Sequence, residues 1–254
     1  MTSDAPREES RTAGHAVDRR TVIQGAAWSV PVIAAAVATP LAGAAVSCTP
    51  QAAVLDWQTM YTRTDLDHGT AIVPLPDGTS VTVQITSTLG SRLQHSTEQQ
   101  GGMNVNQWGL NVINTPTIAY TSTTFNAAYT QTLVFQFDRD VEGISFIVDD
   151  IDAMITPSAV ISRLERVWVS APTGTIAPGS ALAFDTSGRV WSSGYGEQAT
   201  GGNVFDDPNP DDPAFQALVS IPGPTNAFTF NLNHTGAVNH SGVDIRNVSF
   251  TTSC

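Results

Sequence analysis

Bulky apolar residues recur at every second position through several short stretches of this chain, and turn-forming residues separate the stretches. Val81, Val83 and Ile85 alternate with threonine and glutamine; Leu133, Phe135 and Phe137 alternate with polar partners, and Ile144, Phe146 and Val148 repeat the pattern. Alternation with a period of two puts one set of side chains on each face of a strand, so each stretch predicts a half-buried β-strand. Pro76-Asp77-Gly78 predicts the turn of one hairpin. Asp138-Arg139-Asp140-Val141-Glu142-Gly143 carries the charges and the glycine that a short connection needs. It predicts a second hairpin, spanning Thr130 to Asp152.

Further strands are expected over Ala53–Trp57, Val160–Val169, Ala181–Phe184, Arg189–Trp191, Phe215–Ile221, Ala227–Leu232 and Val243–Thr251. Asp185-Thr186-Ser187-Gly188 suits a hairpin turn between two of them. Ser87 to Gln107 is rich in Ser, Gln, Gly and Asn and reads as a long loop, a place where β scaffolds often carry binding. Asp206 to Pro213 alternates aspartates with prolines and reads as a solvated surface loop. No helical periodicity persists over three turns after residue 45. Short strands with frequent turn signals predict an all-β chain folded as a single β-sandwich or jelly roll.

The first 44 residues are of another kind. A polar segment is followed by Asp18-Arg19-Arg20-Thr21-Val22-Ile23-Gln24 and then by an alanine-rich apolar run to Ala44. Arg19 and Arg20, with apolar Val22 and Ile23 behind them, resemble a twin-arginine export signal; Asp18 and Gln24 depart from its commonest form and leave Sec export open. Ala42-Gly43-Ala44 provides the small residues that a signal peptidase needs, so residues 1–44 are expected to be a cleaved leader and 45–254 the β domain. Pro31 and Pro40 interrupt the apolar run and argue against a retained membrane span. The mature protein is expected outside the cell or on its surface.

Export changes the reading of the two cysteines. Cys48 follows the cleavage site closely and Cys254 ends the chain. An oxidising compartment favours a disulfide between them, joining the first and last strands. The rival is lipidation of Cys48, for which Ala45-Val46-Ser47 is a poor match. Charge narrows the partners: 11 basic residues, all arginine, stand against 23 acidic ones, a net charge of −12. So acidic a chain is repelled by phosphate backbones and anionic membranes, which sets nucleic acid aside.

Candidate chemistry concentrates in a few places. Asp149, Asp150 and Asp152 crowd the end of the expected hairpin, and carrying the alternation forward turns Asp150 and Asp152 toward the core, where bare carboxylates are costly. Either the strand has left the sheet by Asp149 and all three sit in a solvated loop, or a cation lies among them. Calcium, with its preference for clustered hard oxygens, is the natural ion. Trp108 is either a core aromatic or a stacking platform for a sugar. Trp191 and Tyr195 beside Gly194 and Gly196 suit a loop rim, where they are candidates for ligand binding if not buried. The histidines His68, His95, His234 and His240 are scattered and read as surface residues rather than a zinc site.

The run LVFQFDRDVEGISFIVDDID, the strand around Arg166-Val167-Trp168-Val169-Ser170 and the ending GVDIRNVSFT resemble the jelly-roll, galactose-binding-like domains of bacterial surface and adhesin proteins, over about the last 125 residues. The resemblance implies loops that bind sugars or calcium. No G-x-S-x-G, H-E-x-x-H, P-loop or dinucleotide fingerprint occurs. Two readings follow: a secreted or cell-surface binding or adhesion module for a glycan or other surface ligand, with calcium at its acidic end, or a secreted carbohydrate-active hydrolase on the same scaffold, its two carboxylates drawn from anywhere in the chain.

Overall fold

Burial follows the alternation read from the sequence: Val81, Val83 and Ile85 are buried while Thr82, Gln84 and Thr86 between and beside them are not. The computed structural model describes residues 49–96, 102–151, 153–155, 161–185, 187–192, 204–205, 212–236 and 241–253. The first strands are β1 (Ala52–Leu55), β2 (Tyr61–Arg63), β3 (His68–Pro74), β4 (Ser80–Leu89), β5 (Leu93–His95), β6 (Gly102–Val105) and β7 (Leu110–Pro116), with one helical turn, α1 (Trp57–Met60), after β1. The middle of the chain forms β8 (Thr130–Asp149), β9 (Ala153–Ile155), β10 (Ile161–Ser170), β11 (Thr175–Pro178), β12 (Leu182–Phe184) and β13 (Val190–Ser192). Last come β14 (Val204–Phe205), β15 (Ala217–Ile221), β16 (Thr225–Gly236), β17 (Ser241–Ile245) and β18 (Val248–Thr252). The ladders are antiparallel, and the fold is an all-β sandwich.

The sandwich is organised around β8, and here the expected hairpin is corrected. Thr130–Asp149 is a single strand of 20 residues whose two halves do not pair with each other. Its first half lies between β4 and β16, with Phe135 opposite Ile85 on one side and Phe228 on the other. Its second half lies between β15 and β18, with Ser145 opposite Ser220 and Ser249. The charged run that looked like a turn is a bend in the strand. Gly143, at φ +61°, takes a left-handed conformation there, and the register against β18 slips between Ser249 and Thr251. One extra residue of this kind bends a strand and exchanges its faces. Buried positions accordingly change from Leu133, Phe135 and Phe137 to Ile144, Phe146 and Val148.

Because of that exchange, both halves of β8 aim their aromatic rings into one core. Phe228 stacks on Phe135 at 4.5 Å and meets Phe146 at 5.5 Å, while Phe137 packs edge-on against Phe250 at 5.4 Å. Such ring pairs contribute about 0.5–1.5 kcal/mol each beyond the area they bury.

Other expectations fare unevenly. The β3–β4 and β12–β13 hairpins form as read, and β1 pairs with β18, so the first and last described strands are neighbours. The supposed loop from Ser87 to Gln107 contains the end of β4 and all of β5 and β6. Val243–Thr251 is two strands, with Arg246 and Asn247 in the connection between them. His234 is not a surface residue: it is fully buried in β16, opposite Glu165 of β10. Among the described residues no helix is long and apolar enough to cross a membrane. The leader, Arg19 and Arg20 included, lies outside the described residues, as do Cys48, Asp152, Tyr195, His240 and Cys254.

Candidate functional site

Past the bend, the odd-numbered residues of β8 face away from the aromatic core, and the last of them is Asp149. It nevertheless has no solvent exposure, and it remains in the strand, opposite Asp244 of β17. The two alternatives read from sequence, a departed strand or an ion among three carboxylates, are joined by a third arrangement. Arg246 provides the positive charge. Its Nε donates to Asp149 Oδ2 at 2.9 Å and its Nη2 donates to the same oxygen; Gln216 Nε2 donates to that oxygen at 3.4 Å. Asp149 Oδ1 accepts from the amide of Asp150, which turns the chain with a left-handed φ of 61°. A cation at Asp149 therefore competes with a guanidinium already in place. Among the described residues, no group of three or more His, Cys, Asp or Glu is placed to hold a metal ion.

Asp244 is nearly as buried as Asp149, and its Oδ1 accepts from Asn111 Nδ2 at 2.6 Å and Asn106 Nδ2 at 2.9 Å. Burial pushes both carboxyls above the ordinary aspartate range; Arg246 and the amide donors pull against it, and the charge of Asp149 raises Asp244 further. These carboxylates anchor a surface. Asn106 uses its nitrogen on Asp244 and its Oδ1 on the amides of Trp108 and Gly109, at 2.8 and 3.0 Å. The turn between β6 and β7 is thereby pinned to a buried charge. Gly109 fits closely there, for a Cβ would lie 2.2 Å from the carbonyl oxygen of Ile245.

A second turn meets the first. Asp56 caps α1 by accepting from the amide of Gln58, and Gln58 Nε2 reaches across to the carbonyls of Asn106 and Gln107. Trp57, wholly buried, donates from its indole nitrogen to the carbonyl of Arg246 at 3.0 Å. Together these turns wall an open cavity of about 470 Å³ whose floor includes Ser145 and Ile147 of β8 and Leu218 of β15. Trp108 is half-buried in the wall, and Gln58, Asn247 and Ser249 edge it with amides and a hydroxyl. A flat indole beside amides and a hydroxyl, with Asp56 and Arg246 also lining the cavity, suits a ring that is apolar on one face and hydroxyl-rich at its edge.

The same geometry bears on catalysis. Among the described residues Asp56 is the carboxylate that lines the cavity, and it is occupied as a helix cap and as acceptor from Thr59 Oγ1. Asp149 and Asp244 lie buried in their networks with Arg246 and the asparagines. Trp191 lies elsewhere, opposite Arg166 with the guanidinium 5.8 Å from its ring, and lines a different cavity that shares no described residue with the first. Trp108 and Trp191 thus do not form one site. Sequence reasoning missed Arg246, Asn106, Gln58 and Asn247, which carry no local signature of their role.

No protein-family model matches this chain, and no curated protein matches it. Among solved structures the chain is similar to the adhesin domain of PrgB from Enterococcus faecalis, at 13% identity over 80% of this chain and 69% of that one, with a TM-score of 0.40. A likeness at that level bears on neither ligand nor activity.

Proposed function

We propose that this chain is an exported binding module that holds a carbohydrate against Trp108, outside the cell or on its surface. The observation that carries the reading is the indole of Trp108 in the wall of a cavity of about 470 Å³, in a turn fixed through Asn106 to buried Asp244. Sugar recognition favours a ring platform that is rigid before the ligand arrives, because ordering it on binding would subtract from affinity. The leader and the acidic charge favour an extracellular glycan over nucleic acid or an anionic membrane. Binding is favoured over hydrolysis because Asp56 is committed to α1, while Asp149 and Asp244 are held by Arg246 and two asparagines. A pair of carboxylates flanking an open substrate position, which glycoside hydrolysis requires, is not formed by these three. Arg246 already supplies the counter-charge at Asp149, so the sugar site in this reading does not call for calcium there.

A glycan array probed with the mature chain and with Trp108→Ala tests it. Selective binding by the wild type that the variant loses is the expected result. Equal binding by both, or none by the wild type, would overturn the assignment of the site, and glycan turnover would favour the hydrolase.

A further inference from the structure

We propose that Ser87 of β4 and Gln131 of β8 form an internal ester: the serine hydroxyl attacks the glutamine side-chain amide, ammonia leaves, and the two strands become covalently joined. Gln131 is fully buried and Ser87 nearly so, and Gln131 Nε2 donates to Ser87 Oγ at 2.9 Å. The hydroxyl oxygen is thus already in contact with the amide it attacks. Asn114 of β7, also fully buried, completes the group by donating from Nδ2 to Gln131 Oε1 at 2.9 Å. A nucleophile, an amide carbon and a donor on the amide oxygen meet where water is excluded.

Each member has a chemical part. Attack by Oγ on Cδ of Gln131 forms the new C–O bond and puts negative charge on Oε1, the atom that Asn114 already holds. A donor in place before reaction stabilises that charge without reorganisation. Collapse of the tetrahedral intermediate breaks the Cδ–Nε2 bond, and the hydroxyl proton goes to Nε2. The products are the ester and one ammonia, so no oxidant or co-reactant is needed. Groups held in this way react as though at very high concentration, an effective molarity of about 10⁵ M or more in well-oriented cases. Ammonia diffuses away as ammonium, and burial denies the ester the water that would hydrolyse it.

A relay for the proton adjoins the group. The backbone carbonyl of Asp67 accepts from the Ser87 amide at 2.7 Å, while its Oδ2 lies 3.3 Å from His95 Nε2. A carboxylate at Nε2 keeps the ring proton there and leaves the lone pair on Nδ1, which is buried and makes no hydrogen bond. His95 stands opposite Asn114 in the β5–β7 ladder, and Asn114 Oδ1 is likewise buried without a partner. Buried polar atoms left unsatisfied are costly in a chain of bonds that only holds structure, and they concentrate where chemistry is done. His95 relays the serine proton, and Asp67 positions it. The bond closes residues 88–130, which carry β5, β6, β7 and the turn of Trp108, into a covalent ring. It stands independently of what Trp108 binds.

Intact mass spectrometry of the mature chain, denatured and alkylated, tests the proposal. The wild type should be lighter than its sequence by one ammonia, and Ser87→Ala, which removes a single oxygen, should have its full mass. Peptide mapping should find the Ser87 and Gln131 peptides joined, and hydroxylamine, which cleaves esters and spares amides, should separate them. His95→Gln should close more slowly, with a full-mass fraction that falls over time. A wild type at full mass with the two peptides separate, or a deficit that persists in Ser87→Ala, would overturn the ester. Closure of His95→Gln at the wild-type rate would overturn the relay.

Discussion

Replacing Arg246 with methionine keeps most of the side chain's length and removes its charge, leaving Asp149 buried without its guanidinium. The pair is unevenly exposed, Asp149 at 0% and Arg246 at 24%, so the carboxylate bears most of the consequence. Removing one partner of a buried ion pair costs about 3–5 kcal/mol, and the partial exposure of Arg246 places this case near the lower end. The backbone carbonyl that accepts from Trp57 Nε1 is untouched by the change. Its dependence on pH follows from the carboxyl. Burial already raises the pKa of Asp149 above its unfolded value, against the pull of Arg246, and losing the arginine raises it further. A group raised in the folded state contributes stability below its unfolded pKa, and that contribution is lost as pH rises through the folded value. The deficit of Arg246→Met should thus be largest near neutral pH and shrink toward about pH 4 as Asp149 protonates. Urea denaturation of wild type, Arg246→Met and Arg246→Met/Asp149→Asn at about pH 4.5 and 7.5 measures it, with the double variant recovering part of the loss. A deficit under about 1 kcal/mol at neutral pH, or one equal at both pH values, would refute the role given to the pair.

Gly109→Ala should destabilise the domain by about 1–3 kcal/mol, because its Cβ meets the Ile245 carbonyl at 2.2 Å, and should perturb the fluorescence of neighbouring Trp108; chemical denaturation and emission spectra check both. Cys48 and Cys254 should be bridged, since the β1–β18 ladder continues through Gln51 and Thr252 toward both ends; reduction should lower the melting temperature without unfolding the domain, and intact mass after alkylation reads the bond. N-terminal sequencing of the exported protein should find its start near Ala45, with retention of residues before Ala42 as the contrary result. Millimolar calcium should leave the melting temperature nearly unchanged while Arg246 holds Asp149, and a rise abolished by Asp150→Asn and Asp152→Asn would show that the carboxylates take an ion after all.

What could be read from sequence depended on how local its causes are. The β3–β4 hairpin was legible because Pro76-Asp77-Gly78 and the flanking alternation lie side by side, and Gly78 does adopt the left-handed φ of 85° that such a turn uses. Thr130–Asp149 was misread because a bend and a turn ask for the same residues, polar ones and a left-handed glycine; the difference lies with β4, β15, β16 and β18, all distant in sequence. Asp149 reads as part of a solvated loop or a cation site because its counter-charge is 97 residues away. His234 looked like a loop residue among asparagine, threonine and glycine, and its burial follows from pairing with β10. Trp108 could be named as a candidate from its residue type, whereas the asparagine network that sets it in a cavity wall appears only when β6, β7 and β17 are assembled.

The most direct measurement of the central claim is a crystal structure of the mature chain soaked with the glycan that binds best on the array. The account predicts a sugar ring stacked on the indole of Trp108, its hydroxyls within hydrogen-bonding distance of Gln58 or Asn247, in the cavity of about 470 Å³. A ring seated anywhere else, with that cavity holding only solvent, would contradict it.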